Sequence, residues 1–251
     1  MPIVLVTGAT SGFGKAIAEK FAAGGYDVII TGRRNELLNE VAEEITSKNK
    51  VKVLPLNFDV RDKNNVDKEL NNLPAEWQRI DVLVNNAGLA LGKDYFDEAN
   101  MDDWETMIDT NLKGLLYVSR AVIPYMIKSG SGHIINIGSI AAKNVYEKGN
   151  VYCATKHSVA AISQAMRVDM LRHKIKVTVI HPGAADTEFS IVRFKGNKDA
   201  AQQVYEGYTP LYAEDIADAV YYCVGTPAHV CINELVIMPT AQADAYYLYK
   251  G

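Results

Sequence analysis

The amino-terminal segment constrains the fold more than any other stretch of this chain. Ile3 to Val6 form a short, continuous apolar run, as expected of a strand buried on both faces. The run leads directly into TGATSGFG at residues 7–14, and then into helix formers from Lys15 to Phe21. A strand, a glycine-rich turn and a helix in this order predict a βα unit whose helix amino terminus faces phosphate groups.

Each glycine of this turn has a separate task in that prediction. Gly8 allows the tight turn, Gly12 lets the backbone approach a pyrophosphate, and Gly14 lets the helix lie close to the sheet. An ordinary glycine-rich βα turn without a ligand is the alternative interpretation of the segment taken alone.

The residues after the second predicted strand indicate which dinucleotide is bound. Strand Asp27 to Thr31 is followed by Gly32, Arg33 and Arg34, where a chain that binds NAD usually carries an acid for the ribose hydroxyls. A guanidinium can bind a ribose phosphate through two hydrogen bonds, whereas an acid would repel it. The sequence therefore favours NADP, with Arg33 as the main contact and Arg34 as its partner. The alternative is that Arg34 only lies on the solvated start of the next helix.

Composition narrows the function classes. A chain of 251 residues that is 48% hydrophobic can bury the core of a single α/β domain. The net charge of −4 argues against nucleic acid or an anionic membrane as the main partner. The three cysteines form no CxxC motif, which is typical of reduced thiols and a cytoplasmic location. The five histidines lack ligand spacing, so no metal site is expected.

Strands and helices alternate along the whole length. Further strands are predicted at Val51–Phe58, Val82–Asn85, Ile134–Ile137, Lys176–Ile180 and Leu235–Met238, and helices at Asn35–Ser47, Val66–Leu73, Trp104–Ser129, Val151–His173 and Glu214–Val224. This rhythm predicts a Rossmann-type, doubly wound parallel sheet, with ligands at the carboxyl ends of the strands. We expect one domain over residues 1–251, with a dinucleotide-binding half at about 1–140 and the catalytic helix, substrate loop and tail at about 141–251.

Polar and glycine-rich residues follow these strands where such a site is expected. Asp59 after the third strand could accept from an adenine amino group, Asn85–Gly88 follow the fourth, and Ser139 follows the fifth. The stretch from 182 to about 198 is predicted to be a long irregular loop, and loops of that length are often lids.

Tyr152 and Lys156 indicate the chemistry. They stand four residues apart, so they share one face of a helix. A nearby positive charge favours the phenolate, and lowering a tyrosine pKa from about 10 to about 7 requires roughly 4 kcal/mol. Lys156 and a cationic nicotinamide together are expected to supply much of this. The tyrosine could then exchange a proton with an alcohol at neutral pH.

In these motifs the chain resembles the short-chain dehydrogenase/reductase family over essentially its whole length. TGATSGFG at 7–14, NNAG at 85–88, Asn111, Ser139, YCATK at 152–156 and PGAADT at 182–187 occur in the family's order. The resemblance implies a seven-stranded sheet, a dimer or tetramer, and a catalytic tetrad of Asn111, Ser139, Tyr152 and Lys156. The expected cofactor contacts are Gly8, Ala9, Thr10, Ser11, Gly12, Phe13, Gly14, Arg33, Arg34, Asp59, Val60, Asn86, Ala87, Gly88, Tyr152, Lys156, Pro182, Gly183, Ala184, Ala185, Asp186, Thr187, Glu188, Phe189 and Ser190.

More narrowly, the chain is similar to NADP-dependent 3-hydroxy acid dehydrogenases in TGRR at 31–34, LPAEW at 73–77, NNAGLALG at 85–92, DWETMIDTN at 103–111, HIINIGS at 133–139 and TEFSIVRFKG at 187–196. The resemblance implies that Ser139 and Tyr152 hold the substrate hydroxyl, and that Asn111 anchors a water on the proton path. The alternatives are that Ser139 only caps a turn and that Asn111 only satisfies backbone groups at a helix irregularity. One departure is His181, which stands before Pro-Gly where an acid is common and could alter the charge near the nicotinamide.

A hydroxy acid needs a cation for its carboxylate. Arg193, in the predicted lid, is the candidate that closes over the substrate, although a solvated loop charge would look the same in sequence. Two other functions remain open: a reductase of steroid, acyl-carrier or other apolar ketones with the same tetrad, and a non-catalytic NADP-binding sensor. Sensors of that type typically lose the tyrosine or the lysine. The aromatic tail from Ala243 to Tyr249 is expected to dock on a neighbouring subunit of a homotetramer.

Overall fold

The computed structural model describes residues 1–251 and contains a seven-stranded parallel sheet. The strands are β1 Ile3–Thr7, β2 Asp27–Gly32, β3 Val53–Asn57, β4 Val82–Asn85, β5 Gly132–Ile137, β6 Ile175–Pro182 and β7 Glu234–Ile237. Their spatial order is β3-β2-β1-β4-β5-β6-β7, so the direction of winding reverses between β1 and β4. In open α/β sheets, ligands bind in the crevice beyond the carboxyl ends of the strands at such a reversal. The predicted fold is confirmed.

Helices cover both faces of the sheet. They are α1 Gly12–Ala23, α2 Asn35–Lys48, α3 Lys63–Asn71, α4 Met101–Ile108, α5 Leu115–Ser129, α6 Asn150–Met170, α7 Glu188–Arg193, α8 Lys198–Gln203 and α9 Ala213–Val224. None of them is long and apolar enough to cross a membrane.

The sheet separates two main apolar cores because successive side chains of a strand point to opposite faces. Val4 and Val6 of β1 pack into a cluster of 25 buried residues with α1, α2 and α9. Ile3 and Leu5 pack into a cluster of 18 buried residues on the other face, with α3 and α5. Because both faces of the sheet are packed, the strand ends that carry the site are held in place.

Several element bounds shift by one to three residues, helix α8 was not predicted, and two further segments differ in kind from the sequence prediction. The helix expected over Trp104–Ser129 is divided by a π-helical turn at Asp109–Gly114, which separates α4 from α5. The stretch from 182 to about 198 was predicted to be irregular, and that prediction is wrong for its middle. Thr187 accepts a hydrogen bond from the backbone N–H of Phe189 and so caps the short helix α7 at Glu188–Arg193.

Candidate active site

A cleft of about 680 Å³ opens at the carboxyl ends of the strands. Most of the residues predicted from the sequence line it: Gly8, Thr10, Ser11, Gly12, Phe13, Arg33, Arg34, Asp59, Val60, Asn86, Ala87, Gly88, Ser139, Tyr152, Lys156, Pro182, Gly183, Ala184, Ala185, Thr187, Glu188, Phe189, Ser190 and Arg193. Four predicted site residues do not line the cleft: Ala9, Gly14, Asp186 and Asn111.

The glycine-rich turn has the geometry of a phosphate cradle. Gly8 and Gly12 have φ angles of 67° and 51°, in the left-handed region that favours glycine. Ser11, at the start of α1, makes no side-chain cap hydrogen bond, so the first-turn N–H groups are available to an anion. A Cβ on Gly14 would lie 2.2 Å from the Gly8 carbonyl oxygen, which explains why this glycine serves packing and does not line the cleft.

The end of β4 is tied to this turn by hydrogen bonds. The Asn86 amide donates to the carbonyl oxygens of Thr7 and Gly8, at 2.9 and 3.2 Å. The Thr7 hydroxyl accepts from the backbone N–H groups of Asn86 and Ala87, each at 3.0 Å. These bonds join β1 and β4 at the point where the winding reverses.

Two arginines follow β2 at the edge of the cleft. The Arg34 guanidinium donates to the hydroxyls of Thr10 and Ser11 at 2.8 and 2.9 Å, and pairs with Glu188 of α7 at 3.1 Å. Arg33 is half exposed and lies 3.8 Å from Asp59. Asp59 is bound mainly by Arg61, at 2.6 Å. The region combines cationic and hydroxyl donors, the set that a ribose phosphate requires.

Tyr152 is buried at the inner end of the cleft, 7% exposed, and its ring lies 5.7 Å from that of Phe189. Burial among these groups raises the pKa of Tyr152 above that of a free phenol, whereas a hydrogen bond with the Ser139 hydroxyl and the positive charge of Arg193 lower it. Ser139 stands beyond β5, and its Oγ accepts from the backbone N–H of Ala141 at 3.1 Å.

Lys156 lies on the same face of α6 as Tyr152, with its Nζ 5.9 Å from the centre of the phenol ring. The ammonium donates to the Ile137 carbonyl oxygen at 3.0 Å, and burial lowers its pKa to about 8. The structure places both side chains on one face of α6, as their spacing predicted.

Asn111 lies in the π-helical turn and is 2% exposed. Its side chain accepts from the Leu89 backbone N–H at 2.8 Å and donates to the Leu89 carbonyl at 2.8 Å and to the Thr155 hydroxyl at 3.1 Å. These bonds hold the loop after β4 against α6. The predicted role of Asn111 in anchoring a water stays a prediction.

The segment after β6 closes over the cleft. The Ala184 backbone N–H donates to Gln242 Oε1 at 2.8 Å, and Thr187 stands next to Gly12. Helix α7 is fastened at both ends: Glu188 pairs with Arg34, and Lys195 just beyond the helix pairs with Asp103 at 2.8 Å.

Arg193 carries the positive charge near the phenol. Its guanidinium lies 5.7 Å from the ring centre of Tyr152 and donates to the Tyr146 hydroxyl at 3.1 Å. Lys93 also lines the cleft, and burial, followed by the charges of Arg193 and Lys148, lowers its pKa. The cleft therefore has one cation close to the candidate proton-transfer group, and Lys93 adds a second cation to its lining.

Sequence reasoning missed several lining residues that belong to no motif: Lys93, Tyr146, Tyr205, Tyr208, Gln242, Ala245 and Leu248. The last three belong to the carboxyl-terminal tail, which folds back on the rest of the chain, with Gln242 bridged to Leu248. Tyr246, Tyr247 and Tyr249 point outward and are 59–76% exposed.

His181 does not line the cleft. It is fully buried behind Ser139, and burial lowers its pKa to about 4. At that pKa the imidazole is neutral at pH 7, so His181 adds no positive charge, and its effect in place of the more common acid stays a prediction.

Comparisons with known proteins agree with this geometry. Residues 2–198 match the family model described as short chain dehydrogenase. The NADP-dependent 3-hydroxy acid dehydrogenase YdfG of Salmonella typhi is 49% identical over 244 residues, covering 97% of both chains. Sulfoacetaldehyde reductase 2 of Chromohalobacter salexigens is 45% identical over 242 residues, covering 96% of this chain and 95% of the relative.

Solved structures give the same result. The closed form of serine dehydrogenase complexed with NADP⁺ superimposes with a TM-score of 0.93 at 48% identity, covering 97% of both chains. A 3-ketoacyl-(acyl-carrier-protein) reductase from Brucella melitensis superimposes with a TM-score of 0.82 at 25% identity, covering 94% of this chain and 96% of the other.

Proposed function

The chain belongs to the short-chain dehydrogenase family, and on that premise we propose that it transfers hydride reversibly between NADP and the 3-hydroxyl of a small 3-hydroxy acid. Serine, allo-threonine and 3-hydroxypropionate, the last interconverted with malonic semialdehyde, are the members of this class that we would test first. The observation that carries the acid assignment is the Arg193 guanidinium, 5.7 Å from the ring of Tyr152. A planar cation beside the proton-transfer group suits a substrate whose carboxylate is two carbons from its hydroxyl.

The residues present fit NADP. The uncapped start of α1 suits the pyrophosphate, and Arg33 and Arg34 suit the ribose phosphate. Asp59 and Val60 are proposed to contact the adenine end, and Asn86 and Gly88 the nicotinamide side. The segment from Pro182 to Ser190 is proposed to cover the bound dinucleotide. When bound, the nicotinamide supplies the hydride acceptor or donor.

The proposed division of labour follows from the chemistry of each side chain. Ser139 donates a hydrogen bond to the substrate oxygen, and Tyr152 takes the hydroxyl proton in oxidation or supplies it in reduction. Lys156 favours the phenolate by its charge and is expected to bind the nicotinamide ribose. Asn111 holds the loop after β4, and its predicted water would continue the proton path to solvent.

A second candidate reaction is reduction of a short aldehyde that carries a sulfonate in place of the carboxylate. Arg193 and Lys93 together offer two cations to an anionic head group, and one relative is a sulfoacetaldehyde reductase. The same cations disfavour the steroid and acyl-carrier alternatives, since an apolar substrate would cover charged groups and offer them no partner. A non-catalytic sensor is disfavoured because Tyr152 and Lys156 are both present beside Ser139.

The deciding experiment follows nicotinamide absorbance with each hydroxy acid, with NADP⁺ and NAD⁺ in parallel. Tyr152→Phe should abolish turnover while NADPH still binds. Arg193→Ala should raise KM for the acids by about 10- to 150-fold, the loss of one charged hydrogen-bonding partner. Arg172→Ala, on the exposed surface, is the matched control.

The outcomes separate the candidates. Turnover of sulfoacetaldehyde but of none of the acids would move the substrate to the sulfonate class. An unchanged KM in Arg193→Ala would contradict the carboxylate contact. Retained turnover in Tyr152→Phe would contradict the catalytic assignment itself.

We also propose that the protein is a cytoplasmic homotetramer in which the exposed tyrosines of the tail contact a neighbouring subunit. The exposure of these tyrosines supports the proposal. Tyr246, Tyr247 and Tyr249 present apolar rings to solvent, although Gln242 and Leu248 of the same tail are bridged to each other. Light scattering of a chain truncated before Ala243 should report a smaller oligomer. The same mass per particle as the full chain would contradict the proposal.

A further inference from the structure

Behind the cleft, the side chains of His181, Glu234 and Lys143 and the backbone of Ser139 form a polar row that runs from the buried imidazole to the surface. His181 of β6 is fully buried, and its Nε2 lies 3.0 Å from Glu234 Oε1 on β7, in a bent approach. Glu234 in turn pairs with Lys143, which follows the turn after Ser139. The register pairs Val179 with Glu234, so His181, two residues further on, lies on the same face of the sheet as Glu234.

The other ring nitrogen of His181 faces Ser139. Nδ1 lies 3.3 Å from the backbone nitrogen of Ser139 and 2.9 Å from its carbonyl oxygen. The carbonyl already accepts from the Ala142 N–H at 2.9 Å. The Ser139 N–H meets only the imidazole. Nδ1 is therefore the acceptor that this N–H needs.

One tautomer suits the groups on both sides of the ring better than the other, although the Nε2 approach to Glu234 is too bent for a regular hydrogen bond. With the proton on Nε2, the imidazole presents N–H to the Glu234 carboxylate and a lone pair to the Ser139 N–H. With the proton on Nδ1, the ring could donate to the Ser139 carbonyl oxygen at 2.9 Å, but the Nε2 lone pair would face the carboxylate and the Ser139 N–H would lose its acceptor. The charge of the Glu234 carboxylate therefore favours the Nε2–H form.

The charges around the ring agree with a neutral imidazole. Burial lowers the pKa of His181 to about 4, and the charges of Lys143 and, from α6, Lys156 and His157 act in the same direction, whereas a hydrogen bond with the Ser139 backbone raises it. Glu234 is the one acid against the ring, and Lys143 balances its charge.

The backbone at Gly138 packs closely against the His181 ring. Gly138, the residue before Ser139, has no room for a side chain, because a Cβ there would lie 2.5 Å from His181 Nδ1. The imidazole thus lies flat against the backbone that carries Ser139.

We propose that His181, held by Glu234 in its Nε2–H tautomer, is a positioning residue that fixes the backbone of Ser139 and so the reach of the Ser139 hydroxyl to Tyr152 and substrate. The inference rests on the proposed role of Ser139. His181 itself touches neither substrate nor cofactor. A supporting group of this kind acts through geometry, and misplacement of a reacting group by a fraction of an ångström lowers the rate.

Two amide substitutions at His181 distinguish the role of Nδ1 from that of Nε2. In His181→Asn, an amide oxygen takes the place of Nδ1 and can accept from Ser139, whereas His181→Gln places its amide farther out, towards Glu234. Asn should keep kcat within about threefold of the wild type, and Gln should lower kcat by about tenfold, with the Kd of NADPH unchanged in both. Equal losses, or the reverse order, would overturn the positioning role.

Glu234 provides a second route that leaves the buried ring in place. Glu234→Leu removes the group that fixes the tautomer and should lower kcat by about threefold or more, whereas Glu234→Gln keeps an acceptor oxygen and should restore most of it. Glu214→Leu, an exposed glutamate on α9, is the control. A kcat in Glu234→Leu equal to that of the control would contradict the proposal.

The tautomer can be read without any substrate. A two-bond ¹H–¹⁵N correlation spectrum of the full chain, with His181→Asn to assign the signal, should show the proton of His181 on Nε2. A proton on Nδ1 would overturn the inference even if the enzyme oxidises hydroxy acids. Conversely, an Nε2 proton in a protein that turns over none of the acids leaves this inference standing and rejects the proposed substrate.

Discussion

Replacement of Arg34 by alanine tests how the cleft selects its cofactor. The Arg34 guanidinium reaches three groups, the hydroxyls of Thr10 and Ser11 and the carboxylate of Glu188, at 2.8–3.1 Å. All three border the glycine-rich turn where a ribose phosphate would lie. Alanine removes the charge and every donor of the guanidinium, while the turn itself keeps its backbone.

The expected loss can be worked from these contacts. A hydrogen bond to a charged group contributes about 1.5–3 kcal/mol, and about 1.4 kcal/mol is a factor of ten. Arg34 is 47% exposed, so we take one such bond, without a further Coulombic term. The Kd of NADPH should rise by about 10- to 150-fold, and that of NADH, which lacks the phosphate, should stay within about twofold.

Glu188→Gln should act in the opposite direction. In the structure, this carboxylate occupies one edge of the Arg34 guanidinium, so a phosphate has to compete with it. An exposed ion pair is worth about 0–1 kcal/mol, and its removal should tighten NADPH binding by at most about fivefold.

Fluorescence titration of each variant with NADPH and NADH measures both effects, with Arg79→Ala as the control for loss of an exposed arginine. A rise in Kd of equal size for both dinucleotides would show that Arg34 only supports the turn. No change for either would refute its assignment as a phosphate contact and leave Arg33 as the candidate.

Two further predictions concern stability. Gly14→Ala places a Cβ 2.2 Å from the Gly8 carbonyl oxygen and 2.5 Å from Asn86 Nδ2. We expect the free energy of unfolding, measured in urea, to fall by about 1–2 kcal/mol, because overpacking outweighs the gain in helix propensity. A stabilised variant would contradict the close packing. Burial lowers the pKa of His133 to about 3 and of His181 to about 4, so below pH 6.5 only the unfolded chain takes up these protons, and the free energy of unfolding should fall by several kcal/mol between pH 7 and pH 4, about 3 of them from His181. A constant urea midpoint over that range would show that these imidazoles are not buried neutral.

The sequence predicted those parts of the site that are local. A buried strand, a glycine turn and a helix are contiguous, so their pattern contains the cradle at Gly8 and Gly12. Tyr152 and Lys156 share one helical turn, and the residues after β4 and β5 are fixed by strand direction alone. In each case neighbouring residues in sequence determine the geometry.

The parts that sequence reasoning missed depend on distant packing. The π-helical turn at Asp109–Gly114 has no local signature. Gly114 meets Val60 there, where a Cβ would lie 2.7 Å from Val60 Cγ2, and Asn111 bonds to Leu89. Lys93 and Gln242 enter the cleft from separate segments, so only the folded chain brings them together. Helix α7 is different, because Thr187 followed by Glu188 is a recognisable helix start.

The charge balance around Tyr152 links the site to its substrate. Lys156 lies 5.9 Å and Arg193 5.7 Å from the phenol ring. A positive charge at such a distance favours the phenolate, and Arg193 lowers the pKa of Tyr152 in this way. Burial raises the pKa of Tyr152 against the effect of either cation, so one cation alone does not lower that pKa to neutral pH.

A carboxylate that pairs with Arg193 removes that cation's effect on Tyr152. In oxidation, the phenolate then depends on Lys156 and on the positive charge of oxidised nicotinamide, and its population rises with pH until Lys156, whose pKa is about 8, loses its own charge. In reduction, the neutral phenol is already the acid that the substrate oxygen needs, and the raised pKa keeps it protonated at pH 7. Since the same burial that hinders oxidation prepares Tyr152 for reduction, the raised pKa of Tyr152 favours reduction of the carbonyl at neutral pH, and the rate of alcohol oxidation should rise with pH up to about pH 8, where Lys156 begins to lose its charge.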